Sequence, residues 1–494
     1  MSTLDDLLRG GRPASHHAPW PRVTVDRAAW DAAIEQLAGG HLTLLGLWPD
    51  AATVHMALLD EPAQAVGVIS LACDGGRYPS VARLHPPALR LERALRDLSG
   101  LIPDGLPDTR PWLDHGQWGP NPEPPDYAFL PCEGEGLHQV AVGPVHAGII
   151  EPGHFRFTVN GETVVRLEQR LGYTHKGTEA LMAGADLATG ARLAGRVSGD
   201  STVAYALAFA RAVEAALGVI APPRAVFLRA LMAEWERLAN HLGDIGAVCN
   251  DASFVLMQAH CAILRERMLR VAADAFGHRL MRDRIVPGGV TADLDAAAGQ
   301  AMRELVADIR RRFPALVELY ENTASLQDRT VTAGMLGPEL ARQYGAGGYV
   351  GRASGRPFDS RRALAYPPYD RLAFDVPVFP EGDVNARVWV RIREVEQSLA
   401  LVEEIVDRLP RGTLRADLPQ PGEPREGMAL VEGFRGDVLV WLRLGADGRI
   451  ARCSLRDPSW FQWPLLEAAI KGNIVADFPL CNKSFNCSYS GHDL

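Results

Sequence analysis

Leu193–Glu214, LAGRVSGDSTVAYALAFARAVE, opens on a polar turn and runs straight into a long apolar helix. From Arg196 the frame reads Arg-x-Ser-Gly-x-Ser. Cysteines at 198 and 201 would set two thiolates three residues apart, both facing one soft metal. Serine oxygens are hard and stay protonated near neutral pH, so the frame predicts hydroxyl chemistry and no thiolate-bridged metal. A second stretch of small polar residues, Asn486–Leu494 (NCSYSGHDL), is its counterpart at the other end of the sequence.

Outward from this stretch the pattern is helical almost throughout residues 202–313. TVAYALAFARAVEAAL, RAVFLRALMAEWERLANHLGDIG, FVLMQAHCAILRERMLRVAADAFG and ADLDAAAGQAMRELVADIRRRF each carry apolar stripes over several turns. Pro222-Pro223 and Pro287-Gly288-Gly289 punctuate them, which predicts a helical bundle. Glu234, Arg237 and His241 fall three and four apart on one helix face, the spacing of a buried salt-bridge network against a neighbouring subunit. Residues 386–409 form a further helix whose paired charges predict an exposed face. Past a proline-rich link, residues 410–424, VLVWLRL and RIARCSL make a hairpin around Gly445–Gly448.

The N-terminal part reads differently. His41–Leu47, Thr53–Leu59 and Ala65–Cys73 predict three strands, and Pro86–Leu101 a helix with Pro in its first turn. Arg93, Arg96 and Asp97 on that helix are expected on a solvated or docking face. Eight prolines between Ile102 and Pro131 predict an extended linker, with a boundary near residue 125. HFRFTV and ETVVRLEQRL, around Asn160-Gly161, predict a hairpin. The fold class is therefore α+β. A small α+β domain with its linker occupies residues 1–125, and a large, mainly helical bundle with peripheral β-hairpins occupies residues 126–494.

Composition narrows the function. The 494 residues are 47% hydrophobic and 22% charged with a net charge of −9, which argues against nucleic acid as a partner. MSTLDDLLRGGRPASHH lacks the basic and then apolar run of a secretory signal, and no stretch approaches 18 uninterrupted apolar residues. Seven cysteines without a Cys-x-x-Cys pair read as reduced thiols of a cytosolic chain. No Gly-x-Gly-x-x-Gly follows a strand, so any NADH link belongs to another subunit.

Five blocks, in order, carry a resemblance. They are GPVHAGIIEPGHFRFTVNGE (Gly143–Glu162), LGYTHKGTEALM (Leu171–Met182), EWERLANHLGDIG (Glu234–Gly246), RASGRPFDSRR (Arg352–Arg362) and FDVPVFPEGDVNARVWVRIREVE (Phe374–Glu396). Roughly Gly143–Leu494 resembles the large subunit of membrane-bound nickel–iron hydrogenases of the hydrogenase-4 and formate hydrogenlyase type, and the homologous 49 kDa subunit of complex I. The preceding part is similar to the 30 kDa subunit of complex I, LERALRDLSGL resembling that family's acidic-basic helix.

The resemblance implies a set of roles. Hydrogenases supply a second thiolate pair as Asp-Pro-Cys-x-x-Cys, which aligns Ser488 and Gly491 with the last two cysteines. The four metal-ligand positions are then Ser198, Ser201, Ser488 and Gly491, and no metal is expected. Cys481 and Cys487, six residues apart, do not restore such a site; an active hydrogenase built on them would need nickel in the purified protein. Glu179 matches a proton-transferring glutamate. His146 and His154, on the loop that enters the quinone cavity of complex I, together with Arg196, Arg352 and Asp359, are implied cavity-lining residues. The quinone-contacting tyrosine of complex I corresponds to Leu193. No cofactor is expected on this chain alone. A quinone and an iron–sulfur cluster in a partner small subunit, resembling the 20 kDa subunit of complex I, are implied. So are antiporter-like membrane subunits and a peripheral place on the cytoplasmic face of the cell membrane. A different class stays open, a non-redox subunit that ties soluble to ion-translocating modules.

Overall fold

The computed structural model describes residues 4–116, 118, 127–145 and 150–494. Its N-terminal strands, β1 (Arg22–Thr24), β2 (Thr43–Asp50), β3 (Thr53–Asp60) and β4 (Ala65–Ala72), lie in the order β1-β4-β3-β2. β1 runs parallel to β4 and the other pairs are antiparallel, with a two-residue strand at Arg12–Pro13 on the β1 edge. Both faces are covered. Val54, Met56 and Leu58 point into one core, while Ala57 and Leu59 meet Met428, Leu439 and Trp441 on the other side. Burial on both faces explains why these strands read as apolar runs rather than alternating ones.

Past the helix α1 (Leu89–Ser99), the linker is tied down. Arg93 is buried, and its guanidinium donates to the carbonyls of Arg110 and Pro111, to Asp108 and to the Tyr127 hydroxyl. Asp97 accepts from the backbone N–H groups of Trp112, Leu113 and Asp114. The expected solvated or docking face is corrected: of the three residues only Arg96 is exposed, and Arg93 and Asp97 bind the linker instead. Proline removes N–H donors from such a segment, so side chains must satisfy its carbonyls.

Three antiparallel strands follow, β5 (Leu137–Val142), β6 (His154–Asn160) and β7 (Thr163–Arg170), in the order β7-β6-β5. Asn160 pairs with Thr163, so the two-residue turn is Gly161-Glu162, one position beyond the predicted one. Gly161 alone takes the positive φ, +58°, that such a turn demands of its first residue.

The bundle consists of α2 (Thr202–Leu217), α3 (Pro223–Asp251), α4 (Val255–Phe276), α5 (Ala296–Asn322) and α6 (Val384–Asp407) around one core. Its ends obey local chemistry. Gly218 and Gly277 close α2 and α4 at φ +66° and +74°, and Pro223 opens α3. Asp295 and Asp383 cap α5 and α6 through their side chains. The expected exposed face on α6 holds for one side only: Arg393 and Glu396 pair at the surface, whereas Arg387, Arg391 and Glu394 are 0–1% exposed. Those buried charges are held inside the protein, a pattern that sequence spacing cannot distinguish from a solvated stripe.

Strands β8 (Arg425–Gly433), β9 (Gly436–Leu444) and β10 (Ile450–Arg456) pack on α2, with His17–Ala18 added parallel to β8. At Gly427 a Cβ would lie 1.9 Å from the Ala212 carbonyl oxygen, so strand and helix touch backbone to backbone. Arg22 also reaches Glu426, at 2.8 Å through both Nε and Nη2.

Candidate functional site

The turn before α2 and the stretch 486–494 meet. Ser198 Oγ lies 3.2 Å from Ser488 Oγ across 290 residues of sequence. Ser488 Oγ in turn accepts from the Gly491 N–H at 2.9 Å. Asp200 accepts from the Ser198 hydroxyl at 2.6 Å and from both Nη1 and Nη2 of Arg435 at 2.9 and 2.6 Å. Arg435 Nη1 also donates to Ser201 Oγ at 3.2 Å, and its Nε to the Asn486 carbonyl. Burial opposes the charge on Asp200, but the Arg435 guanidinium and the Ser198 hydroxyl prevail and lower its carboxyl to about 2. The four positions singled out in the sequence thus form one hydroxyl-lined seat around an ion pair.

Arg435 and Asp457 were missed by sequence reasoning. Arg435 occupies the two-residue turn Phe434-Arg435 between the paired Gly433 and Gly436, and only the later hairpin was predicted. The signal was present in Gly-Phe-Arg-Gly. Asp457 holds the Tyr205 hydroxyl at 2.7 Å and the Ser459 N–H at 2.8 Å.

The neighbouring block Leu171–Met182 grips residues 490–494. Asp493 accepts from the N–H groups of Gly172 and Thr174 and from the Thr174 hydroxyl, each at 2.9 Å. His492 stacks on Trp460 at 4.0 Å between centroids and accepts from Trp112 Nε1 at 3.3 Å. Lys176 Nζ donates to the Val197 carbonyl at 3.2 Å, which ties the block to the turn before α2.

Glu179 sits at the far side of that block. Its carboxyl accepts from the Leu455 N–H at 2.9 Å and the Ser454 hydroxyl at 3.0 Å, with Arg452 at 3.2 Å. Burial outweighs these donors and raises its pKa, so the proton is held more tightly than on a free glutamate. His154 is buried against Phe129, and its Nδ1 lies 2.9 Å from the Gly143 carbonyl. That acceptor requires Nδ1–H, which leaves Nε2, without a partner among the described residues, as a lone-pair acceptor. Burial lowers its pKa and keeps the ring neutral. His146 lies outside the described residues. Arg196 is exposed and grips Asp283 with two bonds of 2.6 and 2.8 Å. Leu193 is half-buried against the bundle core.

Arg352 and Asp359 belong to a second polar cluster, fully inside the protein. Arg352 donates to Glu394 at 2.8 Å and Glu432 at 2.9 Å; Arg361 donates to Asp359 at 2.6 Å and Glu234 at 2.8 Å. Arg237 lies 3.5 Å from Glu234, and His241 Nε2 lies 2.6 Å from Glu394. The expected interface for Glu234, Arg237 and His241 is corrected, because all their partners lie in this chain and all three are 0–1% exposed. Three guanidiniums face four carboxylates. Burial, then the nearby Asp359, raises the Glu432 carboxyl, which makes it the carboxylate of the cluster that takes up a proton most readily.

The family described as the respiratory-chain NADH dehydrogenase 49 Kd subunit matches residues 251–430. Formate hydrogenlyase subunit 5 of Escherichia coli (strain K12) is 32% identical over 439 residues, 84% of this chain and 77% of that protein. The chain belongs to the family of hydrogenase large subunits and complex I 49 kDa subunits. Hydrogenase-4 component G of the same organism is 30% identical over 465 residues, 89% of this chain and 80% of its own. A solved chain of the membrane-bound sulfane sulfur reductase, an archaeal respiratory membrane complex, superposes with a TM-score of 0.69 at 25% identity. The match covers 73% of this chain and 99% of that one. Relatives of this family are thus subunits of multi-subunit, membrane-bound oxidoreductase complexes. No helix among the described residues is long and apolar enough to cross a membrane.

A four-thiolate metal centre does not fit the residues present. Three ligand positions are hydroxyls, and at Gly491 a Cβ would lie 2.4 Å from Asp457 Oδ2 and 2.8 Å from Ser488 Oγ. Cys481 faces Gly334 and Arg387, and burial raises its thiol to about 11. Burial also pushes the Cys487 thiol up, against what a metal thiolate requires.

Proposed function

We propose that this chain is the large subunit of a membrane-bound complex related to hydrogenase-4 and complex I, with a hydroxyl-lined seat in place of the nickel–iron centre. The observation that supports it is the convergence of Ser198, Ser201, Ser488 and Gly491 around Arg435–Asp200 in a chain of this family. In this reading the seat is one wall of a cavity that an iron–sulfur small subunit completes, and the acceptor is a quinone or another proton-coupled substrate. The room for the acceptor, in this reading, comes from the subunit interface. A quinone bound there would take two electrons, delivered from the partner's cluster, and two protons.

This chain's residues supply polar contacts and protons. Asp200 keeps the Arg435 guanidinium fixed and Ser198 and Ser201 present hydroxyls beside it. Glu179, whose proton burial holds more tightly than on a free glutamate, is the proton donor, and His154 Nε2 an acceptor on the loop side. Residues 1–125 take the place of a 30 kDa subunit, antiporter-like membrane subunits anchor the assembly, and the chain lies peripherally on the cytoplasmic face. One observation favours a second reading, a non-redox coupling subunit: Arg435 bridges Ser201 and Asn486 and fills the middle of the seat.

The test is the intact complex, purified through a tag on this chain, with nickel, iron and quinone counted per copy. Reduction of a quinone and of sulfane sulfur would be assayed before and after Glu179→Gln. Iron without nickel, together with acceptor reduction that drops by about 10²-fold in the variant, supports the redox reading. Nickel near one per chain overturns it. A complete assembly without iron, quinone or acceptor reduction assigns the coupling role.

A further inference from the structure

A cleft of ≈ 360 Å³ opens on the opposite part of α2, between the start of α3, the Tyr366–Arg371 loop and Trp20. Its walls are mostly apolar: Trp20, Leu207, Val219, Val226 and Met428 line it, and Ile220, 89% exposed, stands at its rim. Ligand sites of small molecules have this make-up, an apolar concavity with a few directed polar groups.

The directed group is Arg211. Its guanidinium lies over the Tyr366 ring, 4.4 Å from the centroid, and its Nε is buried without a hydrogen-bond partner among the described residues. The nearest carboxylate in the wall is already used. Glu214 accepts from Arg229 Nη1 at 3.0 Å and from the Gly288 N–H at 2.8 Å, and Arg229 also donates to the carbonyls of Val286 and Gly289. Arg371, the third cation of the wall, is exposed and lies 3.6 Å from Asp370. The lining therefore holds three cations against one anion, and among the described residues Arg211 has no carboxylate of its own.

Partly burying a guanidinium without a counter-ion is costly, and proteins normally pair it. Tyr366 covers one face but leaves the in-plane N–H donors free, the geometry that receives a planar or tetrahedral anion through two bonds. Apolar walls beside a free guanidinium define an amphipathic anion.

We propose that this cleft binds an acyl chain carrying an anionic head, with Arg211 as the headgroup receptor and the Trp20–Met428 wall as the seat of the chain. A free fatty acid and a membrane lipid share this chemistry. The site is separate from the hydroxyl seat and does not depend on the function proposed above.

Trp20 in the wall provides the readout, since bromine on a bound chain quenches a tryptophan that it touches. The full chain would be titrated with 11-bromoundecanoate, with its neutral analogue 11-bromoundecanol, and with vesicles of phosphatidylglycerol bearing brominated chains. Saturable quenching by the acid or by the vesicles is expected, absent in Trp20→Phe and about tenfold weaker in affinity in Arg211→Met. Ile220→Asp, at an exposed position that folding tolerates, should weaken it by a similar factor should Arg211→Met fail to fold. The free acid acting alone identifies a soluble ligand, and the vesicles acting alone identify a lipid. Equal quenching by acid and alcohol, undiminished quenching in the folded variants, or none with either probe overturns the proposal.

Discussion

The protein holds two polar centres that solve opposite problems. The cluster of Glu234, Arg237, His241, Arg352, Asp359, Arg361, Glu394 and Glu432 is crowded with full charges and sealed from water. The seat of Ser198, Ser201, Ser488 and Gly491 carries neutral hydroxyls and one ion pair, with Asp200 still partly open to solvent. Charges can be buried in number only when every one is matched and hydrogen-bonded. The first centre is built that way and behaves as a keystone joining α3, α6, β8 and the 352–361 loop. Hydroxyls impose no such demand, so the second can stay open at one side and meet a partner or substrate.

Removing a matched charge is the strongest way to break this contrast. Arg352→Met leaves Glu394 and Glu432 facing one another without their shared guanidinium, and should destabilise the chain by about 3–5 kcal/mol. Denaturant unfolding of the full chain, or loss of its soluble form, measures this. A change below about 1 kcal/mol would mean that the cluster is not the keystone described here.

Gly491→Cys tests the second centre. The new Cβ would press on Asp457 Oδ2 and Ser488 Oγ, at a cost of about 1–3 kcal/mol from overpacking. Ser198→Cys, Ser201→Cys and Ser488→Cys added to it would assemble four thiols in the family's arrangement. Nickel analysis after loading should still find none bound stoichiometrically; one nickel per chain would show that the backbone path had survived and the steric argument had not.

How much of this was legible beforehand follows the same division. Short-range signals worked: Pro222-Pro223 at the start of α3 and the apolar runs of β2, β3 and β4 all report local backbone chemistry. Half of the seat was legible in the frame Arg-x-Ser-Gly-x-Ser, whose two serines are spaced like ligands, and Ser488 and Gly491 came from the resemblance to the hydrogenase Asp-Pro-Cys-x-x-Cys motif. Charged residues were harder to read. Arg391 and Glu394 on α6 have the spacing of a solvated stripe, and only the three-dimensional neighbours Asp244, Arg352 and His241 show that they are buried. Arg435 was missed because the hairpin of β8 and β9, whose turn carries it, was, and Arg93 because its partners, the Arg110 and Pro111 carbonyls, Asp108 and Tyr127, are brought to it only by the path of the proline-rich linker.

Between the two centres stands Glu236 on α3, which accepts from the N–H groups of Val203 and Ala204 at the start of α2. Burial raises its carboxyl to about 8 in spite of these donors. The folded pKa exceeds the unfolded one, so the native state holds the extra proton across the interval between them. The stabilisation is full below the unfolded value and is lost as pH rises towards 8. Glu236→Gln copies the protonated form and should flatten this loss by about 1 kcal/mol per pH unit near neutrality. Unfolding midpoints of both proteins at pH 6, 7 and 8 decide it, parallel curves being the outcome that refutes the burial argument.

The smallest effect is the most diagnostic of what the open side is for. Arg196 and Asp283 make a two-bond ion pair, but at 41% and 39% side-chain exposure solvent screens most of its energy. Arg196→Ala should therefore change the stability of the isolated chain by no more than about 0.5 kcal/mol. Arg196 stands two residues before Ser198, at the edge where the small subunit is proposed to close the cavity. If that edge is an interface, the same substitution should weaken co-purification of the small subunit while leaving the unfolding curve of the chain in place. A variant that is unchanged in both measurements would move the interface away from the seat, and with it the cavity through which electrons are proposed to arrive.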